Sequence, residues 1–258
     1  MTSGIGSADP ESESVLGFRN PRIQRLRRLV SRREERRETG LAVVEGATLI
    51  REALSAGWVC AEEFVTEGAT AVTGVEPRWV AEGVLERVAS TESPRPNVAL
   101  FKVPESRGLS GVATALVVDR MADPGNLGTV IRSAEAAGFD AVVATPGSVD
   151  HLSPKVVRAS AGARFHVPTL EADLQELRDS GFHLVGTSSH RGDGFLEVDW
   201  SEPVRLGIVV GNEAHGIDDG APVDRWVSIQ HAGRAESLNA AMAATIVCFA
   251  AARGRGLL

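Results

Sequence analysis

The 258-residue chain contains no run of about 18 apolar residues, so nothing in it predicts a membrane-spanning helix. Its opening, MTSGIGSADPESES, lacks the basic start and apolar middle of a secretory leader, and a soluble cytoplasmic protein is expected. Cysteine is scarce: Cys60 and Cys248 stand far apart and outside any ligand-type spacing. That excludes a disulfide framework and a zinc site, and both are expected as buried, inert thiols. No G-x-G-x-x-G links a strand to a helix, no G-K-[ST] occurs, and no G-x-S-x-G elbow is present. A dinucleotide fold, a P-loop and an elbow-type serine hydrolase are therefore set aside. A formal net charge of −7 argues against a protein that simply coats nucleic acid.

The charge that is present is uneven. Between Arg19 and Arg37 the chain reads RNPRIQRLRRLVSRREERR, a predicted helix starting near Pro21 with Ile23, Leu26, Leu29 and Val30 facing inward. Such a helix can lay Arg25, Arg28, Arg32 and Arg33 along a phosphate backbone. Equally, Glu34, Glu35 and Glu38 can neutralise their neighbours and leave an ordinary solvated surface. The segments LAVVEG, EEFVT, RWVA and NVALFKV read as strands, ATLIREALSAG and GVLERVAS as helices. A small α/β domain is predicted over 15–104, behind a tail over 1–14 of disordered composition. The Gly- and Ser-rich stretch 105–114 reads as a linker, and 115–258 as a second domain.

In the second domain the predicted strands ALVVD, AVVAT, RFHVP, FHLVGTS, RLGIVVG and WVSIQ are separated by helices and by the loop SHRGDGFLEVDWSEP. The helices are expected from Asn126 to about Ala137, from Pro154 to Ala161, from Glu171 to Asp179, and from Leu238 onward. Strands that are apolar throughout and alternate with helices imply a parallel sheet covered on both faces, with ligands at the carboxyl ends of the strands.

Three loops at such ends stand out. In DPGNLGTVIRSAEAAG, Asp-Pro-Gly is turn chemistry and Asn126 is placed to cap a helix whose Leu127, Val130, Ile131, Ala134 and Gly138 face inward. Arg132 falls off that stripe, and Gly128 is expected to leave room for its guanidinium to fold back toward Asn126. An ordinary capped helix with an exposed arginine reads the same way. In VVGNEAHGI, Gly211, Asn212, Glu213 and Gly216 place backbone donors, an amide and a carboxylate at the sheet edge, as a plain glycine-rich turn also would. Glu213 and His215 lack a third ligand, so no metal is expected. In AGRAESLNAAMAATIVCFAA, Ser237 is a natural cap for a helix burying Leu238, Met242, Thr245, Ile246 and Phe249. Capping alone gives no reason for Gly233, or for Asn239 beside the positive end of the helix.

Together and in this order the loops resemble the SpoU or TrmH branch of the SPOUT methyltransferases, over about residues 115 to 252. N-x-G-x-x-x-R appears as Asn126, Gly128 and Arg132, G-N-E-x-x-G as Gly211 to Gly216, and S-L-N as Ser237 to Asn239. The front domain, with SRREERRETGLAVVEGATLIREAL, resembles the substrate-binding domain ahead of the catalytic domain in many members. The resemblance implies an α/β fold whose C-terminal parallel sheet carries a deep trefoil knot, and a homodimer whose active site combines both subunits. It also implies methyl transfer from S-adenosylmethionine to a ribose 2′-hydroxyl of RNA, ribosomal RNA first and transfer RNA as the alternative. A non-catalytic RNA-binding protein of the same fold is the alternative from another class. Carried over, Arg132 positions or activates the hydroxyl, Asn126, Glu213 and Asn239 orient the arginine and the ribose, and Ser237 supports the network. The cofactor is expected against Thr187, Gly211, Asn212, Gly216, Ile229 and Leu238. One departure is Ile229-Gln230-His231, where the family commonly has an apolar run such as Ile-Pro-Met.

Overall fold

The computed structural model describes residues 15–90, 94–234 and 236–258; the tail expected over 1–14 lies outside them. The arginine-rich segment forms two helices. In α1 (Pro21–Ser31), Asn20 accepts from the Arg22 N–H, Pro21 opens the first turn, and Ile23, Leu26 and Leu29 are buried. The helix stops where Arg32 turns extended, and α2 (Arg33–Thr39) follows, ended by Gly40 at φ 62°. Four strands make the first sheet: β1 (Leu41–Glu45), β2 (Val59–Thr66), β3 (Arg78–Val80) and β4 (Asn97–Lys102), in the order β1-β4-β2-β3. Helix α3 (Ala47–Ser55) follows β1, while GVLERVAS yields only a 3₁₀ turn at Leu85–Arg87 instead of the expected helix.

The second sheet has seven parallel strands: β5 (Thr114–Val118), β6 (Ala141–Ala144), β7 (Thr169–Glu171), β8 (His183–Thr187), β9 (Asp193–Gly194), β10 (Leu206–Val210) and β11 (Arg225–Ser228). Their order is β7-β6-β5-β10-β8-β11-β9. Every residue of β5, β6 and β10 is buried, as expected of a sheet covered on both faces. Four helices accompany it: α4 (Pro124–Ala136), α5 (Pro154–Ala159), α6 (Leu174–Asp179) and α7 (Ala240–Gly254). The expected strand RFHVP is instead a 3₁₀ turn at Ala163–Phe165, and the strand begins at Thr169. Because β10 pairs with both β5 and β8, the loops after β5 and β10 leave the sheet side by side.

The two sheets share packing. Leu152, Val157 and Phe165 join Ala42, Val44, Ile50, Trp58 and Phe101 in one apolar cluster, and Trp58 Nε1 donates to the Phe165 carbonyl at 3.1 Å. Beside it, buried Arg36 donates to Asp150 Oδ2 through Nε at 2.8 Å and through Nη2 at 2.5 Å. His151, neighbouring this pair, is pushed down to about 3 by burial and then by the positive charge of Arg164. It therefore stays neutral, and its Nδ1 accepts from Arg164 Nε at 3.3 Å.

Packing also assigns Gly128 a different role from the one expected. A Cβ there would lie 2.4 Å from Ala159 Cβ and 2.7 Å from the Ala159 carbonyl carbon. The missing side chain thus lets α4 meet α5, and makes no channel for Arg132. Gly138, expected inside, is exposed, whereas Ser133 is buried. Because the obstacle is partly backbone, Gly128→Ala is expected to destabilise the fold by about 2–3 kcal/mol, the upper range for overpacking. Urea denaturation of both proteins measures this, and an unchanged midpoint refutes close α4–α5 packing as the reason for the glycine.

Candidate active site

The loop after β5 does not use Asn126 as its cap. Asp123 takes that place: its Oδ1 accepts from the Asn126 N–H at 2.7 Å, with Pro124 setting the first helical residue. Asn126 is thereby moved into the first turn of α4, and its side chain is free to reach outward. Likewise α7 is capped by Asn239, whose Oδ1 accepts from Ala241 N at 3.0 Å and Met242 N at 3.2 Å, and Ser237 lies before it. The motif after β10 folds back on itself: Gly216 has φ +66°, and a Cβ on Gly211 would lie 2.3 Å from the Gly216 carbonyl carbon. Asn212 ties that turn, its Oδ1 accepting from Ala214 N at 2.9 Å and its Nδ2 donating to the Arg120 carbonyl at 2.8 Å.

These three loops meet. Asn126 Nδ2 donates to Glu213 Oε1 at 2.9 Å, and Asn239 Nδ2 donates to Asn126 Oδ1 at 3.0 Å. The Ala122 N–H adds a longer contact to Glu213 Oε2, 3.4 Å. A carboxylate can only accept, so it fixes which end of Asn126 points at it, and Asn126 in turn fixes Asn239. Partial burial would raise the Glu213 carboxyl, but donation from Asn126 and from the backbone N–H groups of Glu213, Ala122 and Asp123 outweighs it. Glu213 is consequently held below the usual glutamate range.

Beside this chain of contacts opens a cleft of about 720 Å³, lined among others by Thr187, Gly211, Asn212, Gly216, Ile229 and Leu238. Glu213, Ser237 and Asn239 line it as well; Asn126 and Arg132 do not. The volume lies within the range of about 300–1,000 Å³ usual for small-molecule sites. Ile229, Leu238 and Ala240 give it an apolar part suited to an aromatic base, and Glu213 and Glu236 give it negative charge suited to a cationic ligand. At its mouth Arg191 stacks over the Trp226 ring, 3.6 Å from the centroid, and pairs with Asp219 at 3.0 Å. Sequence reading had missed Asp123, Arg191 and Trp226. Only Asp123 carried a local signal, since Asp before Pro is itself a good cap.

Arg132 is exposed on the outer side of α4 and makes no hydrogen bond or ion pair among the described residues. The buried stripe of α7 consists of Ala241, Ala244, Val247, Cys248, Ala251 and Ala252. The expected stripe is its open side: Leu238, Ile246 and Phe249 are each 38% exposed and Met242 is 55% exposed. Small residues face inward because α7 lies close on α4, where Ser133 and Thr245 hydroxyls meet at 2.6 Å. Burial pushes the Cys248 thiol up to about 12, while Cys60 is only half-buried.

The four arginines expected to contact RNA divide. Arg25 pairs with Glu62 at 3.3 Å and Arg28 with Glu35 at 3.2 Å. Arg33 is drawn between the sheets, to Glu171 at 2.7 Å and the Ser148 carbonyl at 3.4 Å. Arg32 alone of the four is exposed without a side-chain partner among the described residues. Among those residues no three His, Cys, Asp or Glu side chains form a metal-binding group, and no helix is long and apolar enough to cross a membrane.

Residues 113–249 match the SpoU rRNA Methylase family, and residues 20–99 match the MRM3-like substrate binding domain. A 23S rRNA (guanosine(2553)-2′-O)-methyltransferase of Bacillus subtilis is 33% identical, over 92% of this chain and 98% of that protein. A 23S rRNA (uridine(2479)-2′-O)-methyltransferase of Streptomyces viridochromogenes is 30% identical, over 99% of this chain and 97% of that one. The crystal structure of the SpoU methyltransferase AviRb from Streptomyces viridochromogenes with AdoMet superposes with a TM-score of 0.82 at 28% identity, covering 92% of this chain and 98% of that chain.

The Glu213 contacts have a titration consequence. Its folded value lies below that of the unfolded chain, so its contribution is complete above the unfolded value of about 4.3 and is lost only as pH falls through the lower folded value. Carboxyl carbon NMR is expected to give Glu213 a midpoint below that of glutamate in the unfolded chain, moving upward in Asn126→Ala. A midpoint unmoved by that substitution contradicts the hydrogen bond.

Proposed function

The chain belongs to the SpoU rRNA methylase family, and from that membership we infer that it transfers the methyl group of S-adenosylmethionine to a ribose 2′-hydroxyl of ribosomal RNA. The observation that carries this reading is the Glu213–Asn126–Asn239 chain of hydrogen bonds, which brings three sequence-remote loops to one rim of the cleft. Held there, S-adenosylmethionine supplies an electrophilic methyl group on a positively charged sulfur. Ile229 and Leu238 would flank its base, main-chain groups near Thr187, Gly211 and Gly216 would hold its polar atoms, and the carboxylates of the cleft would favour its positive charge. Asn212 shapes this wall through its turn, since its amide is already engaged on both sides.

A ribose hydroxyl is a poor nucleophile at neutral pH and must be aligned and relieved of charge as it reacts. Arg132 is assigned to that task. A guanidinium offers five N–H donors and no acceptor, which suits holding a phosphate and a developing oxyanion. Asn126 and Asn239, fixed by Glu213, orient the ribose, and Ser237 supports them from the cleft wall.

Arg132 does not line the cleft of its own chain. It stands on α4, the helix that packs along α7 through the Ser133–Thr245 contact. Three exposed apolar side chains on one side of α7, Met242, Ile246 and Phe249, mark an association surface. We assign that surface to a second copy of the chain, so that a homodimer completes each site with an arginine from its partner. The convergence of the loops after β10 and before α7 on one cleft also suits the trefoil knot expected from the family. RNA meets the front domain through Arg32 and through Arg19, Arg27 and Arg87 around Phe18, where Arg87 lies 3.7 Å from the ring centroid. A guanidinium–aromatic platform of that kind accepts both phosphates and unstacked bases. Ribosomal RNA as substrate agrees with a cytoplasmic enzyme.

Labelled S-adenosylmethionine incubated with ribosomal RNA from cells lacking the gene is expected to label a ribose 2′-oxygen. Arg132→Ala should lower kcat at least about 100-fold, as removal of an oxyanion donor does, with cofactor affinity little changed. Labelling of transfer RNA alone would overturn the ribosomal assignment, and RNA binding without transfer would leave a binding protein. Met242→Glu combined with Ile246→Glu is expected to yield a monomer by light scattering and to abolish transfer. A dimer that survives both charges places the interface elsewhere.

A further inference from the structure

Arg120 lies between β5 and α4 and is, among the described residues, one of two non-glycine residues with a left-handed backbone, φ +54°. An L side chain disfavours that conformation, so something must hold it there. Its N–H donates to Thr145 Oγ1 at 3.0 Å, and Thr145 Oγ1 donates to the buried carboxylate of Asp119 at 2.8 Å. Its carbonyl accepts from Asn212 in the loop after β10. Its guanidinium lies between two carboxylates, Asp119 at 3.0 Å and Asp218 at 2.9 Å. Asp119 directly follows β5, whereas Asp218 follows the G-N-E-x-x-G turn. The side-chain stem crosses Gly147, where a Cβ would lie 3.3 Å from Arg120 Cγ.

One residue thus touches the ends of β5, β6 and β10 at once, through backbone and side chain together. Along the same seam, Ala122 N and Asn126 Nδ2 both donate to Glu213. Arg120 is at one end of this ladder and Asn126 at the other, with only the helix cap between them. We propose that Arg120 is a positioning residue: it locks the loop after β5 against the loop after β10, and so sets where Asn126 and Glu213 stand at the cleft rim. The proposal rests on the methyltransferase reading for its kinetic consequence, but its structural half stands without it.

Arg120→Gly removes the guanidinium while retaining the carbonyl that Asn212 needs, and glycine accepts φ +54° without strain. Loss of fold is therefore not its expected effect. In the ligand-free protein, deuterium exchange at amides 120–126 and 211–218 should quicken at least about fivefold, both loops together, as local opening becomes easier. Thermal unfolding should remain one cooperative transition, lowered because Asp119 loses its guanidinium partner and keeps only the Thr145 hydroxyl. With cofactor and RNA, kcat should fall about tenfold and KM little, the pattern of misplacement in place of lost binding. Asp218→Asn should repeat this, and the double variant should be no worse than either single one, because the pair acts as a unit. Unchanged exchange in Arg120→Gly, or losses that add in the double variant, would overturn the proposal. If wild type transfers no methyl group, the function is wrong while exchange still decides the role of Arg120.

Discussion

The Glu213 carboxylate is the constraint on which the site depends. Asparagine side chains are ambiguous, able to present an oxygen or an amide in either direction, and an unfixed pair at a reaction centre would orient nothing. An acceptor-only group removes the ambiguity for Asn126, and Asn126 removes it for Asn239. The last link is the positive end of α7, whose first amides claim Asn239 Oδ1. A charge at one end and a helix terminus at the other therefore polarise a single line of hydrogen bonds. That line joins residues more than 100 positions apart in the chain.

The sheet makes this meeting possible. Placing β10 between β5 and β8 sets two loops at adjacent strand ends, where parallel sheets expose their crevices. The positive φ of Arg120 and Gly216, the fold-back of Gly211 on Gly216, and the Asp123 cap are local solutions to crowding at that point. A left-handed non-glycine residue costs on the order of 1–2 kcal/mol, a strain that the surrounding contacts must offset.

Much of this was legible in the sequence, and the failures have physical causes. Parallel strands showed as apolar runs, and the three motifs were found because their residue types exceed what turns and caps require. The cap assignments failed by a few residues because Asp, Asn and Ser are all good caps, and local preference cannot choose among candidates spaced within one turn. Gly128 was misread because the residue that excludes a side chain, Ala159, lies in another helix. The face of α7 was inverted for a related reason. Large apolar side chains usually mark the inward side, but a helix packed tightly on its neighbour turns alanines inward and leaves the large ones for a different contact.

The arginines show most plainly why composition underdetermines function. On the sequence, α1 and α2 offer one dense positive segment. In the fold, Arg36 is buried against Asp150, Arg33 bridges the sheets, and Arg25 and Arg28 are neutralised by glutamates. A buried guanidinium must be paired, since leaving its partner alone costs several kcal/mol, about 3–5 when one side is removed. The interface between the sheets therefore takes its arginines first, and only those it does not need remain for an outside anion. Arg132 belongs to this remainder: exposed, unpaired among the described residues, and on the helix that packs along α7. Drying raises the worth of a charge toward a developing oxyanion, so the proposed association, in covering Met242, Ile246 and Phe249, would also strengthen the role proposed for Arg132.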